Sequence, residues 1–178
     1  MAWTAPFTAI PNAALTAAQW NTYVRDNLNE TAPAKATTAA RIFVATGVNA
    51  IAERAILSGT IATPETFGST SYGDCATVGP EVTLTTGTRA LVWWKALVSN
   101  NTAGVEMLAA PKVTGATTID ATDTASAMVT GNSAGDRYTC SGQFLYSLTP
   151  GSHTFTLQYR VSGGGSTWMY RQIIVMAL

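Results

Sequence analysis

The stretch His153–Val161, HTFTLQYRV, alternates without a break. Phe155, Leu157, Tyr159 and Val161 fall on one side, and Thr154, Thr156, Gln158 and Arg160 on the other. Successive side chains of an extended chain leave opposite faces, so this period of two predicts a strand with one apolar face. The same reading extends outward. Tyr138, Cys140, Phe144, Tyr146 and Leu148 share a face over 137–148, Val105, Met107, Ala109 and Val113 share another, and Val82 and Leu84 alternate with Thr83 and Thr85. Pro111 lacks a backbone donor, which predicts an edge or a bulge in its strand. Thr86-Gly87, Asn100-Asn101, Gly131-Asn132, Pro150-Gly151 and Gly163-Gly164-Gly165 mark turns between the strands. Many short strands with such punctuation predict a mainly β fold, an antiparallel β-sandwich of jelly-roll-like design.

Two strands depart from simple alternation. In Arg89–Val98, RALVWWKALV, one face holds Ala90, Val92, Trp94, Ala96 and Val98, and the other holds Leu91, Trp93 and Leu97 around Lys95. In 168–178, Trp168, Tyr170, Ile174, Met176 and Leu178 are expected to oppose Met169, Ile173 and Val175. A strand apolar on both faces is covered on both faces. In a two-layer sandwich the outer face is usually wet, so the second apolar face points to self-association.

Before the strands comes a different kind of sequence. Residues 1–14 contain Trp3, Pro6, Phe7, Ile10 and Pro11 and predict an extended arm. Trp20, Val24 and Leu28 then recur at spacing four, with Tyr23 on the next row and Thr16 as N-cap, which predicts one short helix. The expected division is an arm and anchoring helix over 1–30, a linker with a short β segment over 31–57, and a β-sandwich over 58–178.

The chain has 178 residues and ten basic side chains against ten acidic ones, and only 11 % of it is charged. About a quarter is usual. Twenty-nine Ala and twenty-nine Thr take up the difference. A neutral chain without a Lys/Arg cluster has no electrostatic footprint for nucleic acid or an anionic membrane. The uncharged stretch before Arg25 is interrupted by Pro6 and Pro11 and lacks a basic leader. It therefore reads neither as a membrane span nor as a signal peptide, and synthesis in a cytoplasm is expected.

Chemistry-bearing motifs are sparse. His153 stands at a strand end without a nucleophile motif, and Gly163–Gly165 has no helix after it. Asp120 and Asp123, with Asp136 or Glu106, could contribute to a calcium loop, although Asx turns explain them better. Asp120, Asp123 and Glu106 are also the nearest approach to a glycosidase carboxylate pair. Cys75 and Cys140 cannot form a framework by themselves, and a buried free thiol is the expected state of Cys140. Trp93, Trp168 and Tyr170 could stack on sugar rings. No catalytic residue, cofactor or metal is assigned.

The opening, MAWTAPFTAIPNAALTAAQWNTYVRDNL, resembles that of small structural proteins (minor tail, fibre or decoration-type) in the virions of tailed actinobacteriophages. There W-T-x-P is followed by L-T-A-A-x-x-N-T-x-V-R-D-N-L, matched here by Trp3, Thr4 and Pro6 and then by Leu15–Ala18, Asn21, Thr22 and Val24–Leu28. ARIFVATGVNAIAER, VTGATTIDATD, FTLQYRVSGG and the ending RQIIVMAL are similar to the same group. Phe7, Ile10 and Cys75 depart from it. The resemblance implies a non-enzymatic virion protein, often trimeric, anchored by its N-terminus with the β domain outward. Trp3, Phe7, Trp20, Tyr23, Val24, Arg25, Asp26 and Leu28 are the expected assembly contacts, with Arg25 and Asp26 pairing across them. The expected partners are copies of itself and other phage capsid or tail proteins. A carbohydrate-binding adhesin, with a host-surface glycan as partner, is the alternative.

Overall fold

The computed structural model describes residues 3–8 and 10–178. It comprises two units, Met1–Ala55 and Ile56–Leu178.

In the first unit, Thr16 caps the helix as its sequence predicts. The Thr16 hydroxyl accepts the Gln19 N–H, and the Gln19 carboxamide accepts the Thr16 N–H, so two orphan donors are satisfied reciprocally. The helix, α1, runs through Ala17–Trp20, a wider π-helical stretch Asn21–Arg25, and Asp26–Asn29. Where a featureless linker is expected, Ala32–Lys35 form one helical turn (α2) with Pro33 in its first turn, a position where no N–H is needed. Strand β1 (Arg41–Gly47) then pairs antiparallel with the first half of β2 (Ala50–Ile61). The Glu53 carboxylate accepts the N–H groups of Thr37 and Thr38 at 2.7 and 3.1 Å and so fixes the entry to this hairpin.

The second unit is an antiparallel β-sandwich. Its strands are the second half of β2, β3 (Glu65–Phe67), β4 (Glu81–Thr86), β5 (Arg89–Asn100), β6 (Val105–Gly115), β7 (Ala127–Gly131), β8 (Arg137–Ser147), β9 (Gly151–Val161) and β10 (Ser166–Ala177). One sheet has the order β2-β10-β5-β8, with β3 continuing the β2 edge along β10; the other has the order β4-β9-β6-β7. The pairs β2–β10, β4–β9, β5–β8 and β6–β7 are those of one long hairpin rolled on itself, and β5–β10 and β6–β9 close the roll. This is jelly-roll connectivity, as the alternation predicts.

The core follows the alternation. Phe155, Leu157, Tyr159 and Val161 are fully buried, as are Val92 and Val98 from the facing sheet and Met107 and Val113 from the neighbouring β6. Each such side chain contributes about 1.5–3 kcal/mol on burial. Pro111 lies on an interior strand and still needs no donor. The β7 ladder stops at Ala109, and Val113, two residues on and on the same side, donates its N–H to Ile119 rather than to β9.

β10 breaks the expected phase. Its register against β5 shifts between Met169 and Gln172, so Tyr170 and Arg171 together oppose the single position Ala96. Tyr170 occupies this bulge with φ of 49°, a left-handed conformation that costs a bulky residue about 1–2 kcal/mol. Trp168 therefore points inward and is fully buried, whereas Tyr170 is 64 % exposed. Arg171, Ile173, Val175 and Ala177 take the inward positions beyond the bulge.

Candidate functional site

Two regions leave apolar or aromatic groups available. The first is the arm and helix. Asn27 is buried and organises the arm. Its carbonyl accepts the Thr4 N–H, and its amide donates to the Thr4 and Tyr23 carbonyls, at 2.8, 2.8 and 3.0 Å. Phe7 packs on Tyr23 with ring centroids 5.0 Å apart. Arg25 and Asp26 pair with each other at 2.8 Å. Trp20 and Leu28 remain 55 % and 61 % exposed, and Trp3, Ile10 and Leu15 are exposed as well. Val24 is half-buried.

The second region is the outer face of the β2-β10-β5-β8 sheet, whose register sorts its side chains into rows. Ile56, Met176, Leu91 and Leu145 form one apolar row across all four strands. Ile56 and Leu145 are 42 % and 48 % exposed. The next row is Ser58, Ile174, Trp93 and Gln143, and the one after it is Thr60, Gln172, Lys95 and Ser141. The face is thus apolar at one end and polar at the other, with Trp93 on the border. An open groove of about 490 Å³ runs along that border, lined by Trp93, Lys95, Ser141, Gln143, Gln172 and Ile174. A smaller one of about 270 Å³ shares Lys95 and Gln172 and reaches Thr60 and Tyr170. The Trp93 indole N–H donates to the Gln143 carbonyl at 3.0 Å, which fixes the ring. Beneath it Trp94 is buried across Gly142.

The sugar-stacking set expected from sequence is therefore split. Trp93 and Tyr170 reach the outer face, but Trp168 lies in the core, its ring 4.6 Å from that of Tyr159. Strict alternation had placed Trp168 beside Tyr170, and the bulge reverses it. Gln143, Gln172 and Lys95 are the groups that sequence reading missed, and their cross-strand register with Trp93 was the signal that could have found them.

The other candidates have structural partners. Asp123 holds Arg160 in a two-pronged pair at 2.8 and 2.5 Å and accepts the Tyr72 hydroxyl at 3.0 Å. The Arg160 guanidinium keeps the Asp123 carboxyl below its ordinary range. Asp120 lies 3.6 Å from Lys112. Among the described residues, no three His, Cys, Asp or Glu side chains are grouped to hold a metal ion, so the calcium reading of Asp120, Asp123, Asp136 and Glu106 is not supported. His153 is fully buried. Its Nε2 accepts the Thr117 N–H at 3.0 Å, and its Nδ1 faces Gly151 O and Thr86 Oγ1, each at 3.1 Å. An acceptor at Nε2 requires the neutral tautomer with the proton on Nδ1. Cys75 and Cys140 are free and buried and form no bridge. Among the described residues, no helix is long and apolar enough to cross a membrane.

No family model matches the sequence, and no curated protein matches it. Solved structures similar to this chain include the VP2 subviral particle of infectious bursal disease virus. It is 13 % identical with a TM-score of 0.46, over 75 % of this chain and 36 % of that one. The T13 particle of the same virus is 13 % identical with a TM-score of 0.47, over 75 % and 35 %. Eiger TNF from S. frugiperda is 11 % identical with a TM-score of 0.48, over 69 % of this chain and 92 % of that one. This chain thus spans little more than a third of the viral capsid chains it is similar to.

Proposed function

We propose that the chain is a non-enzymatic structural subunit of a tailed-phage virion, a fibre, decoration or minor tail protein made in the host cytoplasm. It attaches through residues 1–30 and carries its β-sandwich outward toward the host surface. The observation that carries this reading is the helix. Trp20 and Leu28 stay largely exposed while Asn27 and Phe7 tie the arm to the same helix. Exposed large apolar groups on a short helix mark a contact surface. The N-terminal sequence resemblance names the kind of particle.

Self-association is supported by the row Ile56, Met176, Leu91 and Leu145, which continues unbroken across four strands, and the N-terminal resemblance implies a homotrimer. The non-enzymatic reading draws on the ion pairs of Asp120 and Asp123 and on the two engaged nitrogens of His153.

Mass spectrometry of purified particles tests the assignment, together with light scattering of the isolated chain. The expected result is a stoichiometric virion component and a trimeric mass. Trp20→Asp with Leu28→Asp should remove the protein from particles without lowering the melting temperature of the β-sandwich. A monomer that is absent from particles overturns the reading.

A further inference from the structure

The polar half of the outer sheet face has a composition that self-association does not explain. Its side chains are an indole, two carboxamides, a hydroxyl and one ammonium group. Among the described residues, the side chains of Lys95, Ser141 and Gln172 make no hydrogen bond or ion pair with the protein, and neither groove is lined by a carboxylate. The Trp93 N–H occupies the Gln143 carbonyl, so both amide hydrogens of Gln143 remain available to a ligand. β5 and β10 are paired on both sides, and their backbone groups are committed to the ladders. A peptide strand could pair only along the outer edge of β8, not over the floor of the groove. Recognition must come from side chains.

We infer that this groove binds a saccharide bearing an acidic group, with one sugar ring stacked on Trp93 and its anionic substituent at Lys95. The inference rests on the outward display of the β-sandwich proposed above. Trp93 and Lys95 are two positions apart on the same face of β5, about 7 Å, which is roughly the span of one pyranose ring and its carboxylate. Sugars present apolar C–H faces that pack on an indole and rims of hydroxyls that pair with carboxamides. Gln143 stands beside the indole on β8, and Gln172 stands one row on, beside Lys95 on β10, so such partners lie along the path from ring to cation. The charge balance selects the acid, since Lys95 is an exposed cation with no counter-ion among the lining residues. Tyr170 extends the surface for a neighbouring ring. The bulge turns it outward beside the second groove, in a left-handed conformation of the kind retained at binding sites.

The test is to apply the purified full-length chain to an array of uronate-, sialate- and sulfate-bearing oligosaccharides and their neutral counterparts. Binding confined to acidic members, lost in Trp93→Ala and reduced about tenfold in Lys95→Gln, supports the inference. Gln143→Ala with Gln172→Ala should weaken it as well, and Trp93→Phe should retain part of it. All these side chains project from the outer face, so unchanged melting temperatures verify that the variants fold. Binding to neutral sugars alone, binding that survives Trp93→Ala, or no binding to any member overturns it, as does a groove closed by a second copy of the chain. Binding by a chain that is absent from particles would instead sink the virion reading and leave the groove standing.

Discussion

Arg171 Nη2 lies 2.8 Å from the Glu65 carboxylate, and the Arg171 side chain that makes this contact has no exposed surface. The guanidinium also lies 5.7 Å from the centre of the Tyr159 ring, and among the described residues its Nε and Nη1 have no hydrogen-bond partner. The pair fastens β3 to β10 beyond the bulge. A buried pair is costly to break because the surviving charge stays desolvated. Glu65→Leu should therefore lower stability by about 3–5 kcal/mol in urea unfolding. Arg171→Met should cost less, because Thr77 continues to serve Glu65. The double variant should cost clearly less than the sum of the two. An additive double variant would mean that the two groups are not energetically coupled.

Acid should weaken the fold through the same carboxylate. The Thr77 hydroxyl, its N–H and Arg171 hold Glu65 below its ordinary value of 4.5 against the opposing effect of burial. Arg160 and the Tyr72 hydroxyl hold Asp123 below 3.8. A depressed folded pKa contributes stability that is complete above the unfolded value and is lost as pH falls through the folded one. Melting temperature should be level from about pH 7 to pH 5 and should decline below about pH 4.5. Glu65→Gln should flatten part of that decline.

The two thiols should be slow to react. Burial pushes Cys75 up to about 11 and Cys140 up to about 12. At pH 8 neither holds appreciable thiolate, the form that attacks disulfide reagents. Native protein should react with a thiol-exchange dye only over hours, and denatured protein should release two equivalents at once. Reduction should leave the mass unchanged.

Gly142 is expected to tolerate no side chain. A Cβ there would lie 2.5 and 2.9 Å from atoms of the buried Trp94 indole. The ring is buried, so Gly142→Ala should cost about 1–3 kcal/mol through overpacking. Denaturant midpoints would show it. Gly163→Ala serves as the contrast, because nothing lies within 4 Å of its would-be Cβ and its φ is not positive.

Asn27→Ala should free the arm. The change strips both backbone partners from Thr4 and one from Tyr23. Leaving such groups unpaired costs about 1–3 kcal/mol. Limited proteolysis should then cut within residues 3–8, while hydrogen exchange in the β-sandwich stays as in the parent.

Where a strand kept strict alternation, its sequence carried its fold. Phe155 to Val161 and Tyr138 to Leu148 point as their period requires, and the capping residue Thr16 is where propensity puts it. Tertiary information was less accessible. A bulge adds one residue to a ladder without leaving a mark such as Gly, so Trp168 parted from the face it was expected to share with Ile174 and Met176. Asn27 is indistinguishable from an ordinary helix-end Asn until the arm folds back. The groove was invisible because its members sit on three strands distant in sequence and meet only through register.

The bulge at Tyr170 also divides β10 into two reading frames. Before it, even-numbered positions such as Ser166 and Trp168 face inward, and after it the odd-numbered Arg171, Ile173, Val175 and Ala177 do. Across these twelve positions, tolerance to substitution should change phase in mid-strand. Loss of Tyr170 would remove the bulge, seat Arg171 alone opposite Ala96 and leave Ile173 and Val175 facing inward, because the extra residue is what offsets the two frames. The strand can therefore shorten at this one position without turning over, whereas a residue lost elsewhere in it would reverse the facing of its remainder.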